Sequence, residues 1–298
     1  MITFEEIINE KDKEVRNVLI AKKIQELNES NIPLEINTNS IVNGFISNES
    51  VVYFSDWHLD LNKGLGSLYG MKATDYFYEF FDFLSAKNLT SKIDVINYVS
   101  SFLKKYFDEE GTKKNYREVL FDDICNQLDH MEDKDKFLKC RNNWMDIGIF
   151  KGKSAAECSE HTIIAQNLLS ICDIESCYIS GNMKTSSTNE AHAFTIFKMD
   201  DEYYLLDSTN PVCLFDEKDN YAGCKSFVAK LPYEKVIEFI NSNGEINLNK
   251  CNYMRTSDGK IIMVDKSRNV YTTTSKLINE EECNDFFNFS SRSIKIWL

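Results

Sequence analysis

Residues His192 to Asp207 run His-Ala-Phe-Thr-Ile-Phe-Lys-Met-Asp-Asp-Glu-Tyr-Tyr-Leu-Leu-Asp. Ala193–Met199 and Tyr203–Asp207 are rich in β-branched and aromatic residues, and Asp200-Asp201 between them is a turn pair. The pattern predicts a β-hairpin. Its strands are antiparallel neighbours, so His192 and Asp207 fall at the same open end. A carboxylate there can accept a hydrogen bond from the imidazole and fix its tautomer.

Working outward, Cys177-Tyr178-Ile179-Ser180 reads as a short strand. Cys251–Arg255, Lys260–Val264 and Asn269–Thr274 read as three more, the first two joined by Ser257-Asp258-Gly259, and the C-terminal strands, ending Ile294-Lys295-Ile296-Trp297-Leu298, are expected to complete the sheet. Pro232 opens a helix reaching about Asn241. Upstream the pattern is helical. Phe4, Ile7, Ile8, Val15, Val18, Leu19 and Ile24 keep a helical period over the first 28 residues, ended by Asn28-Glu29-Ser30-Asn31 and Pro33. A short extended piece is expected at Ser50–Phe54. Thr74 caps an aromatic helix with Phe77, Phe80, Phe81 and Leu84 on one face. Thr90 or Ser91 starts another, with Val95, Val99, Phe102 and Tyr106 in register, and a third runs from about Tyr116 to His130. Helices followed by antiparallel strands predict an α+β chain. Its expected parts are a helical region, residues 1–135, and a core with an antiparallel sheet, residues 136–298, divided in Glu132-Asp133-Lys134-Asp135-Lys136.

The composition fits this order. Of 298 residues, 43% are hydrophobic and 27% charged, with only 11 Gly and 3 Pro, which excludes a disordered or collagen-like chain. The formal charge of −13 argues against nucleic acid and anionic membranes as partners. No apolar run is long enough to span a bilayer. The opening Met1-Ile2-Thr3-Phe4-Glu5-Glu6 has no basic stretch followed by an apolar one, so a cytoplasmic location is expected. The 9 cysteines are an odd number, irregularly spaced and without a CxxC, which predicts reduced thiols rather than a disulfide scaffold.

One cysteine is placed differently from the rest. Ser154-Ala155-Ala156-Glu157 is an S-x-x-E capping box immediately before Cys158 and a helical run containing Ile164, Leu168 and Ile171. Cys158 then sits in the first turn of a helix, where unpaired N–H groups and the helix dipole favour the thiolate, the nucleophilic form. A nucleophilic cysteine needs a base, and the base an orienting group. His192 and Asp207 at the open end of the hairpin supply that pair. His161, three residues after Cys158, competes for the base role but is expected to be a surface histidine. Cys158 and His161 with Cys172 and Cys177 match zinc-ligand spacings poorly, so no metal or cofactor is expected. Asp56-Trp57-His58 reads as packing and His130 as solvated.

Cys158 at a helix start, His192-Ala193-Phe194 on a strand and Leu206-Asp207-Ser208-Thr209 on its neighbour resemble the transglutaminase-like superfamily of papain-like folds. That family has a Cys, His, Asp order, an aromatic residue two positions after the histidine, here Phe194, and a D-P-T-like ending. Ser208 replaces its usual proline, and Ala156 stands where it often has glycine. The likeness covers about residues 140–215. It implies Cys158 as nucleophile, His192 as general base, Asp207 as orienting group and an acyl-thioester intermediate. The Cys158 backbone N–H would serve the oxyanion, with a second donor among Asn142, Asn143 and Trp144.

The expected function is cysteine-dependent acyl transfer on protein or peptide amides, with hydrolysis preferred. Transfer to an amine, as in a transglutaminase, and peptide binding without catalysis are the alternatives.

Overall fold

The computed structural model describes residues 1–36, 40–53, 68–70, 73–108, 111–112, 114–116, 118–119, 122–123, 126, 144–184, 189–200, 202–215, 221–231, 252–255, 261–264 and 270–273. Within these residues the chain is α+β, with helices first and a mainly antiparallel sheet after them.

The first helical stretch is two helices, α1 (Phe4–Asn9) and α2 (Lys13–Ser30). Thr3 caps α1 in a reciprocal box with Glu6, and the Asp12 carboxylate caps α2 by accepting from the N–H groups of Glu14 and Val15. The interruption at residues 10–12 resets the helical phase. Ile20 and Ile24 turn inward, whereas Val15 and Val18, expected on the buried stripe, are 46% and 53% exposed.

α3 (Asp75–Ala86) and α4 (Lys92–Tyr106) follow the expected pattern. Phe77, Phe80, Phe81 and Leu84 are buried, as are Val95, Val99, Phe102 and Tyr106, and Phe80 meets Phe102 edge-on at 5.0 Å between ring centres. Ser91 is the cap of α4, in a box with Asp94, but Thr74 makes no capping hydrogen bond. Residues described between Tyr116 and Asn126 are helical at 116, 118–119, 122–123 and 126. The helix expected from Pro232 lies outside the described residues.

α5 (Cys158–Ile171) is the central helix. Ile163, Ile164, Ala165, Leu168, Leu169 and Ile171 are fully enclosed, and so are its polar residues Thr162, Gln166 and Asn167. A helix buried on all sides lies inside a core. Asn167 and Gln166 tie it to the preceding chain. The Asn167 side chain accepts from the Ile46 N–H (2.7 Å) and donates to the Ile46 carbonyl and the Tyr76 hydroxyl, while Gln166 donates to the Gly44 carbonyl. At the far end of α5, Asp173 in the left-handed region (φ 54°) takes the buried Lys23 ammonium and the Phe4 N–H on its carboxylate.

The strands are β1 (Glu35–Ile36), β2 (Ile41–Asn43), β3 (Val51–Tyr53), β4 (Leu68–Gly70), β5 (Trp144–Asp146), β6 (Ser176–Lys184), β7 (Asn189–Met199), β8 (Glu202–Phe215), β9 (Tyr221–Leu231), β10 (Asn252–Arg255), β11 (Ile261–Val264) and β12 (Val270–Thr273). The larger sheet has the order β12-β11-β10-β6-β7-β8-β9, with β2 also paired to β6. The C-terminal strands do extend this sheet, but β10 runs parallel to β6, so the sheet is not wholly antiparallel. A parallel neighbour requires a crossover connection rather than a tight turn. β1, β3, β4 and β5 form a second, small sheet.

The expected division at residue 135 lies outside the described residues. Buried side chains from both sides of it form one cluster, from Phe4 and Ile24 through Phe80 and Val99 to Leu168, Phe194 and Leu206. Among the described residues no helix is long and apolar enough to cross a membrane.

Candidate active site

The β7–β8 register places two of the three expected groups. Ile196 lies opposite Leu205 and Thr195 opposite Leu206. Residues directly opposite in an antiparallel pair share a face, and each strand alternates faces. His192, Phe194 and Ile196 therefore share a face with Leu205 and Asp207, and Asp207 is the diagonal neighbour of His192. Their side chains meet there, with His192 Nε2 3.1 Å from Asp207 Oδ2.

Asp207 is where β8 leaves its ladder. It pairs with Phe227, and pairing with β9 resumes only at Val212 opposite Lys225, so residues 208–211 bulge out. Pro211, which has no N–H to give a ladder, lies in this bulge. The bulge folds back on the carboxylate. Thr209 and Asn210 donate their backbone N–H groups to Oδ1, both at 3.1 Å, and the Asn210 side-chain amide donates to Oδ2 at 3.0 Å. Asp207 is thus both the turn-former its sequence context suggests and the partner of His192.

Cys158 is the first residue of α5, but the cap differs from the expected one. Ser154 has φ 48° and donates its N–H to the Phe107 carbonyl, which keeps it out of the helix start. Glu157 is the capping residue instead, and its N–H donates to the Glu160 carboxylate at 2.8 Å. Glu160 is fully enclosed and also accepts from the Tyr116 hydroxyl at 2.9 Å. The box is shifted by three residues because a tertiary hydrogen bond claims Ser154. Cys158 remains in the first turn, where backbone N–H groups have no intrahelical acceptor.

Cys158 is a close enough neighbour of His192 to favour the charged imidazole. Burial by itself would drive the proton off this imidazole, but the Asp207 charge and hydrogen bond, reinforced by Cys158, outweigh it, and the His192 pKa is raised. Cys158 is partly exposed, His192 is 6% exposed and Asp207 fully buried, so sulfur is the member of the group that faces solvent.

The other candidates fall elsewhere. His161 is not a surface residue: it is fully buried, its ring 4.7 Å from that of Phe107. Its position in a helix enclosed on all sides explains the difference. Cys172 and Cys177 are buried, and burial raises both thiols, Cys177 to about 12. Among the described residues no group of three or more His, Cys, Asp or Glu side chains could hold a metal ion. Asn142, Asn143, His58, His130 and Asp56-Trp57 lie outside the described residues. Trp144 opens β5, where it pairs with Leu68 in the small sheet.

Four contributors were not foreseen. Asn210 had a local signal, an amide three residues after an aspartate. Glu160 and Tyr116 had none, being 44 positions apart. Tyr178, buried on β6, lies beside Ser159 of α5, and burial raises its hydroxyl pKa.

Compared with family models, curated proteins and solved structures, the chain matches none.

Proposed function

We propose that this chain is a cysteine-dependent acyl-transfer enzyme of the transglutaminase-like, papain-like kind, acting on protein or peptide amides and releasing the acyl group to water. One observation carries the reading: His192 has Cys158, at a helix start, as a close neighbour on one side and is hydrogen-bonded on the other to Asp207, whose carboxylate is held by the bulge that follows it. A nucleophile, a base and an orienting group in mutual contact make up a nucleophilic triad.

The reaction would begin with the Cys158 thiolate and the proton on His192. Sulfur attacks the amide carbon and the carbonyl electrons move to oxygen, next to the first-turn N–H groups of α5. The C–N bond breaks as His192 gives its proton to the departing amine, leaving a thioester on Cys158. His192 then takes a proton from water, whose oxygen attacks the thioester. The C–S bond breaks, releasing the acid and restoring thiolate and imidazolium. Asp207 stays ionised throughout and holds the imidazole in place. A cytoplasmic setting, where thiols stay reduced, suits such a nucleophile.

Limiting iodoacetamide at about pH 6, read by intact mass and peptide mapping, tests this because alkylation follows the thiolate. Cys158 is expected to be alkylated first, and His192→Ala to remove that preference. A peptide amide incubated with the enzyme should also leave an acyl mass on Cys158 that hydroxylamine releases. Alkylation of Cys158 no faster than that of the other cysteines, with no acyl adduct, would sink the enzyme reading and favour peptide binding. Faster discharge of the adduct by a primary amine than by water would replace hydrolysis with amine transfer.

A further inference from the structure

We propose that Cys213 and Cys224 are a redox modification site, a dithiol that closes to a reversible cross-strand disulfide. Beyond the bulge at residues 208–211, β8 and β9 pair again, and there Cys213 lies directly opposite Cys224. Their neighbours Val212–Lys225 and Leu214–Gly223 hold the same register on either side. Directly opposed residues of an antiparallel pair have Cα atoms about 4.5 or 5.5 Å apart, according to the hydrogen-bonding position. Both separations lie within the roughly 4.4–6.8 Å that a disulfide spans. The backbone therefore need not move for the bond to form. Among the described cysteines no other faces a cysteine across a ladder: Cys177 lies opposite Ile196 and Asn43, and Cys158 and Cys172 belong to α5 and its C-terminal cap.

Cys224 is 4% exposed, and what it exposes meets a cleft. Cys224 forms part of the wall of a groove of about 890 Å³ between α3, α4 and the chain at Lys151-Gly152. The matching oxidant is a small-molecule disulfide such as oxidised glutathione. The Cys224 thiolate attacks one of its sulfurs, forming a mixed disulfide and expelling one small thiolate. The Cys213 thiolate then attacks the Cys224 sulfur and expels the second. The two protein thiols lose two electrons and two protons, and the small disulfide becomes two thiols. None of this depends on the acyl-transfer reading.

The test is peptide mapping of the full-length protein after incubation with oxidised glutathione, with remaining thiols blocked by N-ethylmaleimide. Lys218 lies between the two cysteines, so trypsin leaves their peptides joined only through sulfur. A linked Cys213–Cys224 peptide pair, lighter by two hydrogens than the separate peptides and lost on reduction, is the expected result. In Cys213→Ser, Cys224 should stop at the glutathione adduct. Both cysteines carrying N-ethylmaleimide while other thiols are oxidised, or either one linked mainly to a different cysteine, would overturn the assignment. The wild-type map decides the matter even where a variant fails to fold.

Discussion

Asn210 donates its side-chain amide to Asp207 Oδ2, the same oxygen that faces His192 Nε2. The carboxylate is therefore gripped from the bulge while it grips the imidazole. The position of His192 depends on a residue that makes none of the triad contacts with sulfur. Asn210→Ala removes one hydrogen bond to a charged group, worth about 1.5 kcal/mol, and should slow Cys158 alkylation about tenfold. The dependence on His192 should persist, and the unfolding midpoint should fall by about 3 °C. An unchanged alkylation rate would show that the backbone donors of Thr209 and Asn210 suffice to hold Asp207.

The raised His192 pKa predicts an alkaline weakness. A histidine that holds its proton more tightly folded than unfolded contributes stability that is fully present below its unfolded value, about 6.5. That contribution is lost as pH rises through the folded value, about 10 here. Wild type should therefore lose thermal stability between pH 7 and pH 10 more steeply than His192→Gln, which has nothing to titrate. In Asp207→Asn the His192 ring should titrate at lower pH, read by NMR of labelled histidine. Parallel stability curves for wild type and His192→Gln would contradict the charged pair.

Cys158→Ala tests the sulfur without disturbing the core, because a small residue replaces a small, partly exposed one. All selective alkylation and acyl-adduct formation should vanish. The unfolding midpoint should move by no more than about 2 °C. A large drop would mean that Cys158 is a packing residue.

Lys23 is 1% exposed, and its ammonium bonds the Ile2 carbonyl at 2.5 Å and Asp173 at 2.6 Å. Lys23→Met keeps the stem but leaves Asp173 with one partner fewer at the end of α5. The Asp173 side chain is 31% exposed, so water replaces part of the loss. A destabilisation of about 2 kcal/mol is expected, below the 3–5 typical of a fully buried pair. A urea denaturation curve measures it, and Cys158 reactivity in the folded protein should be unchanged.

Glu160 is enclosed and joins two otherwise separate parts, the Tyr116 hydroxyl and the start of α5. Tyr116→Phe removes one donor to the carboxylate and should cost about 1–2 kcal/mol. Glu160→Ala leaves both the hydroxyl and the Glu157 N–H without this acceptor and should cost more than Tyr116→Phe. Thermal unfolding of the two variants and the double variant gives the coupling. Additive losses would mean that the hydrogen bond contributes nothing.

What the sequence determined by itself was mainly periodic, and even there the local Asp12 cap split the first helix and turned Val15 and Val18 outward. The β7–β8 hairpin and the aromatic stripe of α3 follow from repeats of two and of three to four residues, which need no distant partner. The hairpin alone set His192 beside Asp207, because strand register puts residues of matching parity on one face. Tertiary structure decided what one segment imposes on another. The Phe107 carbonyl displaced Ser154 from the cap. β10 took a parallel place beside β6, and strands of two or three residues, too short to show alternation, were recruited from before α3. The two ends of the candidate site met for the same reason. Cys158 and His192 come together only when α5 packs on the sheet, and there the Asp207 charge outweighs burial and raises the His192 pKa.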